Sequence, residues 1–248
     1  MSKAKVNYQK LYKFQNIGPP PKSQAPETSF SLFNTKNEIP NACIFELDNF
    51  LSAKDCQYLR EAAEKFSFDT ISNEYPEEYR SNKRLLVKNA ALSQFFYERI
   101  MSQSHHYSAK QVFSQASPFG LRLDTHNQCW IPCGASQVLK FSKYEQGTRF
   151  LPHMDNTIVE AVDKRSIFTV IVYLNDDFEG GETHFHAFDI EKSQQLPLLN
   201  VAERDFSKTR RITVKPKAGK CLVFNHDVLH EGDLIKKGCK YIIRFELM

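Results

Sequence analysis

The second half of the chain, after about residue 120, is a succession of short β-prone segments, and this pattern constrains the fold most strongly. The segments are rich in β-branched and aromatic residues and are bounded by turn signals: SQVLKFSKY, SIFTVIVYLND, RRITVKP, KCLVFNHDVLH and KYIIRFEL. Seven of the nine glycines lie in this half, which suits many turns between strands. Because no helix-length amphipathic segment separates the strands, they predict an antiparallel sandwich or barrel.

Two helices are predicted before these strands, packed on the outside of the β structure. Ser52 can N-cap the first helix, and Asp55 at its third position reinforces that cap. The apolar faces contain Cys56, Leu59, Ala63 and Phe66 in the first helix, and Leu92, Phe95, Phe96 and Ile100 in the second. A β-like run at 42–47 precedes the helices, and residues 69–86 between them are predicted to be loop or short strands. The predicted class is therefore mainly β with flanking helices (α+β).

The first 38 residues are predicted to form a basic, proline-containing flexible tail. Five lysines and no acid precede Glu27, and IGPPPKSQAP can form neither a helix nor a central strand. The segment is either a solvated extension or a basic arm for an anionic partner. We expect that deleting it leaves the melting temperature nearly unchanged.

Composition and charge exclude several classes of protein. With 41% hydrophobic and 12% aromatic residues, the 248-residue chain can bury a core, so global disorder is excluded. The net charge of +4 does not by itself indicate a nucleic-acid partner, and no apolar run approaches the roughly 18 residues of a membrane span. The basic N-terminus lacks the apolar region of a secretory signal, which predicts a cytoplasmic protein with free thiols at its six cysteines.

The stretch FLPHMDNT places His153 and Asp155 two residues apart, a spacing that is common by chance. The pair gains meaning from two histidines downstream in FNHDVLHEG, His226 and His230. Two histidines and one carboxylate can form a facial triad, which leaves coordination positions open and is diagnostic of non-heme Fe(II) oxygenases.

Chemistry of this type also needs a buried cation for the far carboxylate of an organic-acid co-substrate. Lys240 lies ten residues after His230, at the head of the last predicted strand. Arg244 follows four residues later, on the same strand face and roughly 13 Å further along. Both side chains are candidates for this cation.

Taken in order, these motifs resemble the Fe(II)/2-oxoglutarate-dependent dioxygenases, and specifically their prolyl 4-hydroxylase-like branch. The resemblance rests on His153-x-Asp155, on His230-Glu231-Gly232 and on GCKYIIRFEL. YEQG, VYLNDDFEGGETHF with its double-glycine turn, and PKAGKCLVF match further parts of the family pattern. The resemblance covers about residues 137–248 well and the helical part loosely.

The resemblance implies a fold and a set of site residues. The fold would be a double-stranded β-helix (jelly-roll) core at about 121–248 with helical support at about 39–120, forming a single domain over 39–248. Iron would be bound by His153, Asp155 and His230. Lys240 would pair with the distal carboxylate of 2-oxoglutarate, with Tyr144 and Tyr173 donating hydrogen bonds to it. Arg244 stays open as an alternative anchor, since other branches use an arginine at about this distance, or as an arginine paired with a local acid.

The activity that the resemblance implies is hydroxylation of an unactivated C–H bond with dioxygen and 2-oxoglutarate, releasing succinate and CO2. Ascorbate is the expected reductant. The predicted substrate is a prolyl residue of a protein or peptide. The alternatives are a small-molecule (amino acid) hydroxylase, an AlkB-type demethylase of nucleic acid, and a catalytically silent binding module on the same fold. Neither a membrane nor a nucleic-acid partner is expected.

Several other polar groups have metal-like spacing but are predicted to be structural. His184 and His186, with Glu191, echo the cupin pattern, yet the glycine expected after the glutamate is missing. His226 is predicted to support the site without binding the metal, and the polarity of Asp124 and His126 to belong to a loop. Residues 69–86 and 189–209 are expected to flank the mouth of the barrel. The basic residues of the first segment either meet an acidic substrate or are simply solvated: Arg80, Lys83 and Arg84.

Overall fold

Two helices and seventeen strands make up the part of the chain that the computed structural model describes, which is residues 13–21, 23, 27–33, 39, 42–103, 132–187, 206 and 210–248. The helices are α1 (Ala53–Glu64) and α2 (Ala90–Gln103). The strands before α2 are β1 (Phe14–Gln15), β2 (Ser29–Phe33), β3 (Ile44–Asp48), β4 (Asp69–Thr70) and β5 (Lys83–Lys88). Those after α2 are β6 (Val138–Glu145), β7 (Phe150–His153), β8 (Val159–Ala161), β9 (Lys164–Arg165), β10 (Phe168–Tyr173), β11 (Glu179–Gly180), β12 (Thr183–His186), β13 (Arg211–Val214), β14 (Cys221–Asn225), β15 (His230–Gly232), β16 (Ile235–Lys237) and β17 (Cys239–Leu247).

Besides two two-stranded sheets, β11-β16 and β8-β9, the described β structure consists of two large sheets. The larger has nine strands in the order β1-β5-β6-β17-β10-β14-β3-β2, with β4 paired to β5, and the smaller has the order β13-β12-β15-β7. The pairings are antiparallel except that of β1 with β5. Tyr173 and Phe224 of the larger sheet share one buried cluster with Phe185 of the smaller. The sheets therefore pack face to face, as the predicted sandwich requires.

Strand β10 shows how the larger sheet separates two cores. Val170 and Val172 pack in a cluster with residues of both helices, such as Phe96. Ile171 and Tyr173 pack in the cluster between the sheets. Because successive side chains of a strand point to opposite faces, this strand, whose residues are all buried, is covered on both sides. The helices thus cover the outer face, and the inner face is left to carry a site.

The predicted helices are confirmed. The Ser52 hydroxyl accepts a hydrogen bond from the Asp55 amide, and the Asp55 carboxylate accepts one from the Ser52 amide, which is the capping box expected from the sequence. The residues predicted for the apolar faces lie in or against the helix-side core: Cys56, Leu59, Ala63, Phe66, Leu92, Phe95, Phe96 and Ile100.

The prediction of a flexible tail is wrong for the described residues before 38. Strand β1 pairs in parallel with β5, and β2 pairs along its length with β3. Ile17 is only 3% exposed and packs in the helix-side core, while the Ser23 hydroxyl donates to Asp55 at 2.7 Å. Pro19, Pro20 and Pro21 do not prevent this, because they lie between the two strands, which are short edge strands. The larger sheet therefore extends into this part of the chain.

Replacing Ile17 by alanine is accordingly expected to destabilise the protein. Removing most of a fully buried isoleucine side chain costs about 2–5 kcal/mol of the free energy of unfolding. Chemical denaturation can measure the loss, with Val162→Ala as the control, because Val162 is 90% exposed and its truncation should change little. Equal stability of the two variants would restore the tail prediction.

The remaining expectations concern the cysteines, residues 69–86, a membrane span and residues outside the described ranges. The five described cysteines form no disulfide, as predicted: Cys43, Cys56, Cys133, Cys221 and Cys239. Residues 69–86 contain β4 and the start of β5 with turns between them, in agreement with the expectation of loop or short strands. Within the described ranges, neither helix has the length and apolar character needed to cross a membrane. Asp124, His126, Glu191 and, apart from Phe206, the 189–209 segment lie outside the described residues.

Candidate metal centre and co-substrate pocket

Strands β7 and β15 of the smaller sheet bring the two predicted histidine ligands together. His153 is the last residue of β7, His230 is the first of β15, and the two are paired in register. Asp155 follows β7, where its amide donates to the His226 carbonyl at 2.9 Å. One potential ligand atom from each of the three side chains lies within 4.8 Å of the others. The three side chains are at most 8% exposed, so the cluster is buried.

Backbone contacts orient both imidazoles. His153 Nδ1 lies 2.8 Å from the Leu151 carbonyl, and His230 Nδ1 lies 2.9 Å from the Val228 carbonyl. Because a carbonyl can only accept, each Nδ1 carries the hydrogen, and each Nε2 keeps its lone pair. Both Nε2 atoms lie 3.7 Å from the Asp155 carboxylate. Burial lowers the pKa of both histidines, which favours the neutral form that a metal needs.

The Asp155 carboxylate is held by two further side chains. Arg244 Nη2 lies 2.6 Å from its Oδ1, and the Thr169 hydroxyl donates to its Oδ2 at 2.5 Å. Burial alone would raise the pKa of Asp155. The positive charge of Arg244 and the Thr169 hydrogen bond outweigh this and hold the pKa well below its usual range. Asp155 is therefore a fixed carboxylate.

His226 supports this arrangement from behind and does not join the ligand cluster. Since the Thr169 hydroxyl hydrogen is used on Asp155, the His226 Nδ1–H must donate to the Thr169 oxygen, at 2.9 Å. The Ser166 hydroxyl then donates to His226 Nε2 at 2.9 Å. Burial lowers the pKa of His226 to about 4, in keeping with the neutral ring that this chain of hydrogen bonds requires. The predicted supporting role of His226 agrees with these contacts.

The donor set fits a divalent iron ion. Two neutral imidazoles and one carboxylate on adjacent strand ends can occupy one face of an octahedron and leave the other positions open. The supporting contacts on Asp155, His153 and His230 are of the kind that orient metal ligands.

A pocket beside the cluster contains the predicted co-substrate residues. Tyr144, Tyr173, Lys240 and Arg244 all line it together with His153 and His230. Lys240 is 3% exposed, and its ammonium donates to the Gly181 carbonyl at 2.8 Å and lies 4.8 Å from the centre of the Tyr144 ring. Gly181 has a φ of +70°, and a Cβ there would meet Ile235 at 2.4 Å, so glycine is needed where the turn approaches Lys240.

The two tyrosine hydroxyls near Lys240 differ in whether they already have a hydrogen-bonding partner. The Tyr173 hydroxyl is hydrogen-bonded to the Thr183 hydroxyl at 2.7 Å. The Tyr144 hydroxyl has no hydrogen-bonding partner in the ranges that the structure describes. Burial lowers the pKa of Lys240 to about 8, and its ammonium forms no ion pair within 4 Å with a described carboxylate. The pocket therefore offers a buried cation and hydroxyl groups to an anion.

Arg244 faces the pocket as predicted, but its charge is already used. It bridges Asp155 and, at 3.7 Å, Glu246, whose Oε1 also accepts from Lys140 at 2.5 Å. Of the two candidate anchors, Lys240 is thus the one without a carboxylate partner among the described residues. These contacts agree with the alternative that Arg244 pairs with a local acid. The sequence did not indicate that this acid is Asp155, a candidate metal ligand.

The cupin-like histidines belong to no metal cluster among the described residues. His184 and His186 alternate along β12 with Thr183 and Phe185, which face the pocket side. His184 Nδ1 is hydrogen-bonded to Thr213, and His186 Nε2 lies 3.0 Å from the Glu231 carboxylate. Their predicted structural role agrees with these contacts.

Comparison with known proteins gives a family resemblance and a fold. The model of the 2OG-Fe(II) oxygenase superfamily matches residues 139–245. Probable prolyl 4-hydroxylases 3 and 10 of Arabidopsis thaliana are 24% identical over 188 residues and 25% identical over 214. These alignments cover 75% and 82% of this chain but only 58% and 66% of the relatives, so the chain spans less than two thirds of either.

A solved structure shows the same fold. The prolyl hydroxylase from Trichoplax adhaerens, in complex with a hypoxia inducible factor oxygen degradation domain peptide fragment, superposes with a TM-score of 0.51 at 15% identity. The match covers 84% of this chain and 83% of that one. Together with the two facing sheets, it confirms the predicted jelly-roll core with flanking helices.

Proposed function

We propose that this chain is a member of the 2OG-Fe(II) oxygenase superfamily, in its prolyl 4-hydroxylase-like branch, and that it hydroxylates an unactivated C–H bond of a prolyl residue in a protein or peptide. The observation that carries the proposal is the buried cluster of His153, Asp155 and His230 beside a pocket in which Lys240 has no carboxylate partner among the described residues. The chemistry that Fe(II) and 2-oxoglutarate supply when bound is oxidation of the C–H bond by dioxygen, with release of succinate and CO2.

The protein's part in this chemistry is to hold the groups in place. His153 and His230 present Nε2 lone pairs, and Asp155 presents a carboxylate that Arg244 and Thr169 keep ionised and oriented. No side chain needs to change its protonation state to bind the metal, because burial favours neutral histidines while Arg244 and Thr169 keep Asp155 ionised.

Lys240 is proposed to pair with the distal carboxylate of 2-oxoglutarate. A buried ammonium is costly unless it is paired, and a dianion removes that cost. The Tyr144 hydroxyl, which has no hydrogen-bonding partner in the described ranges, can donate to the same carboxylate. Tyr173 can do so by rotating its hydroxyl away from Thr183. The apolar pocket walls, which include Phe150, Ile171 and Ile242, exclude water from the co-substrate.

The prolyl substrate is supported by the names of the relatives and of the Trichoplax protein. The test is to incubate the protein with Fe(II), 2-oxoglutarate, ¹⁸O-labelled dioxygen and a set of prolyl peptides, and to analyse the products by mass spectrometry. We expect one labelled oxygen atom in a hydroxyprolyl peptide and the other in succinate. Labelled succinate without any modified peptide would support the reaction type and contradict the prolyl substrate.

The Arg244→Ala variant is expected to bind metal about 10- to 100-fold more weakly, because Asp155 loses the group that orients it. Anaerobic titration with Fe(II) measures the affinity. Arg244→Lys should retain part of it, and Arg211→Ala, on the exposed strand β13, is the control. Unchanged metal affinity with a strongly weakened affinity for 2-oxoglutarate would instead make Arg244 the co-substrate anchor.

A further inference from the structure

We propose that Arg80 binds a carboxylate of the substrate next to the reacting carbon, so that the preferred substrate is an acidic peptide with Asp or Glu beside the target proline. This inference rests on the proposed function and names the substrate class of the same site. Arg80 lies in the connection between β4 and β5, and its backbone forms a β-bridge with Phe150 of β7. The bridge places the arginine at the edge of the strand that ends in His153.

The guanidinium of Arg80 lies against the wall of the metal pocket. Its central carbon is 4.2 Å from the centre of the Phe150 ring and 5.2 Å from that of Tyr75. The Phe150 ring also stacks on the His153 imidazole, with ring centres 3.5 Å apart. Arg80 is 4% exposed and lines the same pocket as His153, His230 and Lys240. The guanidinium therefore lies one aromatic ring away from a proposed metal ligand.

The charge of Arg80 has no carboxylate partner among the described residues. Its Nε donates to the Asn82 side-chain oxygen at 2.7 Å, and its terminal nitrogens donate to no acceptor in the described ranges. Glu231, the acid that lines the same pocket, lies 3.0 Å from His186. A buried guanidinium without an anion is costly, so its position indicates that the anion is supplied by a ligand.

The pocket holds two such cations, and the co-substrate needs only one of them. If Lys240 takes the distal carboxylate of 2-oxoglutarate, Arg80 remains for a second anion. Because Asn82 fixes Nε and the aromatic rings fix the guanidinium plane, both terminal nitrogens of Arg80 can bind a carboxylate in a bidentate way.

The distance to the metal ligands limits where the substrate's acid can lie. Successive residues of an extended peptide are about 3.3–3.6 Å apart. A carboxylate on Arg80 and a reacting carbon near His153 thus fit neighbouring residues of one peptide. A free amino acid could supply the same carboxylate from its own α-carbon, and the experiment has to separate these two sources.

The test uses three prolyl peptides that differ only in the residue beside proline, which is Glu, Gln or Lys, together with free L-proline. Binding of each probe is measured anaerobically on protein loaded with Fe(II) and 2-oxoglutarate. We expect the unmodified protein to prefer the Glu peptide over the Gln peptide by roughly 10- to 100-fold. Arg80→Gln should remove this preference while changing the 2-oxoglutarate affinity little. Arg80→Lys should retain part of the preference, and Arg211→Gln should leave it intact.

Each result decides a separate point. No preference in the unmodified protein, or a preference that survives in Arg80→Gln, overturns the inference. A collapse of 2-oxoglutarate affinity in Arg80→Gln also overturns it, because Arg80 would then be the co-substrate anchor. Arg80-dependent binding of L-proline alone supports the carboxylate site and assigns it to a small molecule. Failure of the unmodified protein to bind Fe(II) and 2-oxoglutarate overturns the proposed function itself, whatever Arg80 does.

Discussion

The Asp155→Ala variant is expected to lose detectable Fe(II) binding and all 2-oxoglutarate turnover. The proposed metal site has three protein ligands, and removing its one carboxylate leaves two neutral imidazoles and the positive charge of Arg244 beside the ion. Both changes oppose binding of a cation. Fe(II) titration measures the first loss, and succinate release measures the second. His153→Ala and His230→Ala should behave in the same way.

Two comparisons keep this prediction open to contradiction. Removing Asp155 leaves the buried Arg244 with only its longer contact to Glu246. Breaking a buried ion pair typically costs about 3–5 kcal/mol of stability, so the nearly isosteric Asp155→Asn is needed if the alanine variant does not fold. His184→Ala is the matched control, because His184 is a buried histidine of the same sheet that contacts Thr213 and not the cluster. Full turnover in a folded Asp155→Asn protein, or loss of turnover in His184→Ala, would contradict the assignment of ligands.

The local patterns of the chain were sufficient to predict most of the fold. Strand β10 is apolar or aromatic at every position except Thr169, and the cap and the apolar face of helix α1 lie within one short stretch of sequence. Such signals depend on neighbours in sequence, and both predictions were confirmed. Strands β1 and β2 were missed because their pairing partners, β5 and β3, are supplied by the rest of the sheet. Strand β1 has only two residues, which is too few to show a period.

The site likewise has residues that the sequence predicted and contacts that it did not. The ordered motifs named His153, Asp155, His230 and Lys240, since the spacing of ligands along paired strands is a property of the sequence. The contacts of Thr169 and Arg244 with Asp155 could not be predicted, because they depend on the register between distant strands. The sequence did indicate that Lys240 and Arg244, four residues apart on one strand, have their side chains on the same face. This was sufficient to predict that both lie at the pocket.

Arg80 shows the limit of composition as a guide. In the sequence it is one of three basic residues in a polar segment, where a solvated role is a reasonable expectation. In the structure, Lys83 pairs with Glu145 and Arg84 with Glu74, while Arg80 is buried against Phe150 and pairs with no described acid. Arg80 differs from Lys83 and Arg84 in its burial and in having no acidic partner among the described residues, and neither property can be read from the sequence.

The pKa of Lys240 gives the co-substrate affinity a defined dependence on pH. Burial lowers this pKa to about 8, so the fraction of charged ammonium falls as the pH rises through 8. Binding of a carboxylate requires the charged form. The affinity for 2-oxoglutarate should therefore be highest below pH 8 and decline above it. Arg244, which is charged throughout this range, cannot produce such a decline.

The Lys240→Ala variant is expected to bind 2-oxoglutarate roughly 30- to several-thousand-fold more weakly, with Fe(II) affinity nearly unchanged. Losing one side of a buried charge-assisted pair costs on the order of 2–5 kcal/mol, because the distal carboxylate would then be buried without a cation. Anaerobic titration of the Fe(II)-loaded protein with 2-oxoglutarate measures the affinity, and Lys236→Ala, an exposed lysine nearby, controls for net charge. The decline of affinity above pH 8 should be absent in Lys240→Ala. If the affinity persists in this variant, the anchor is another cation of the pocket, and Arg80 and Arg244 are the two that remain among the described residues.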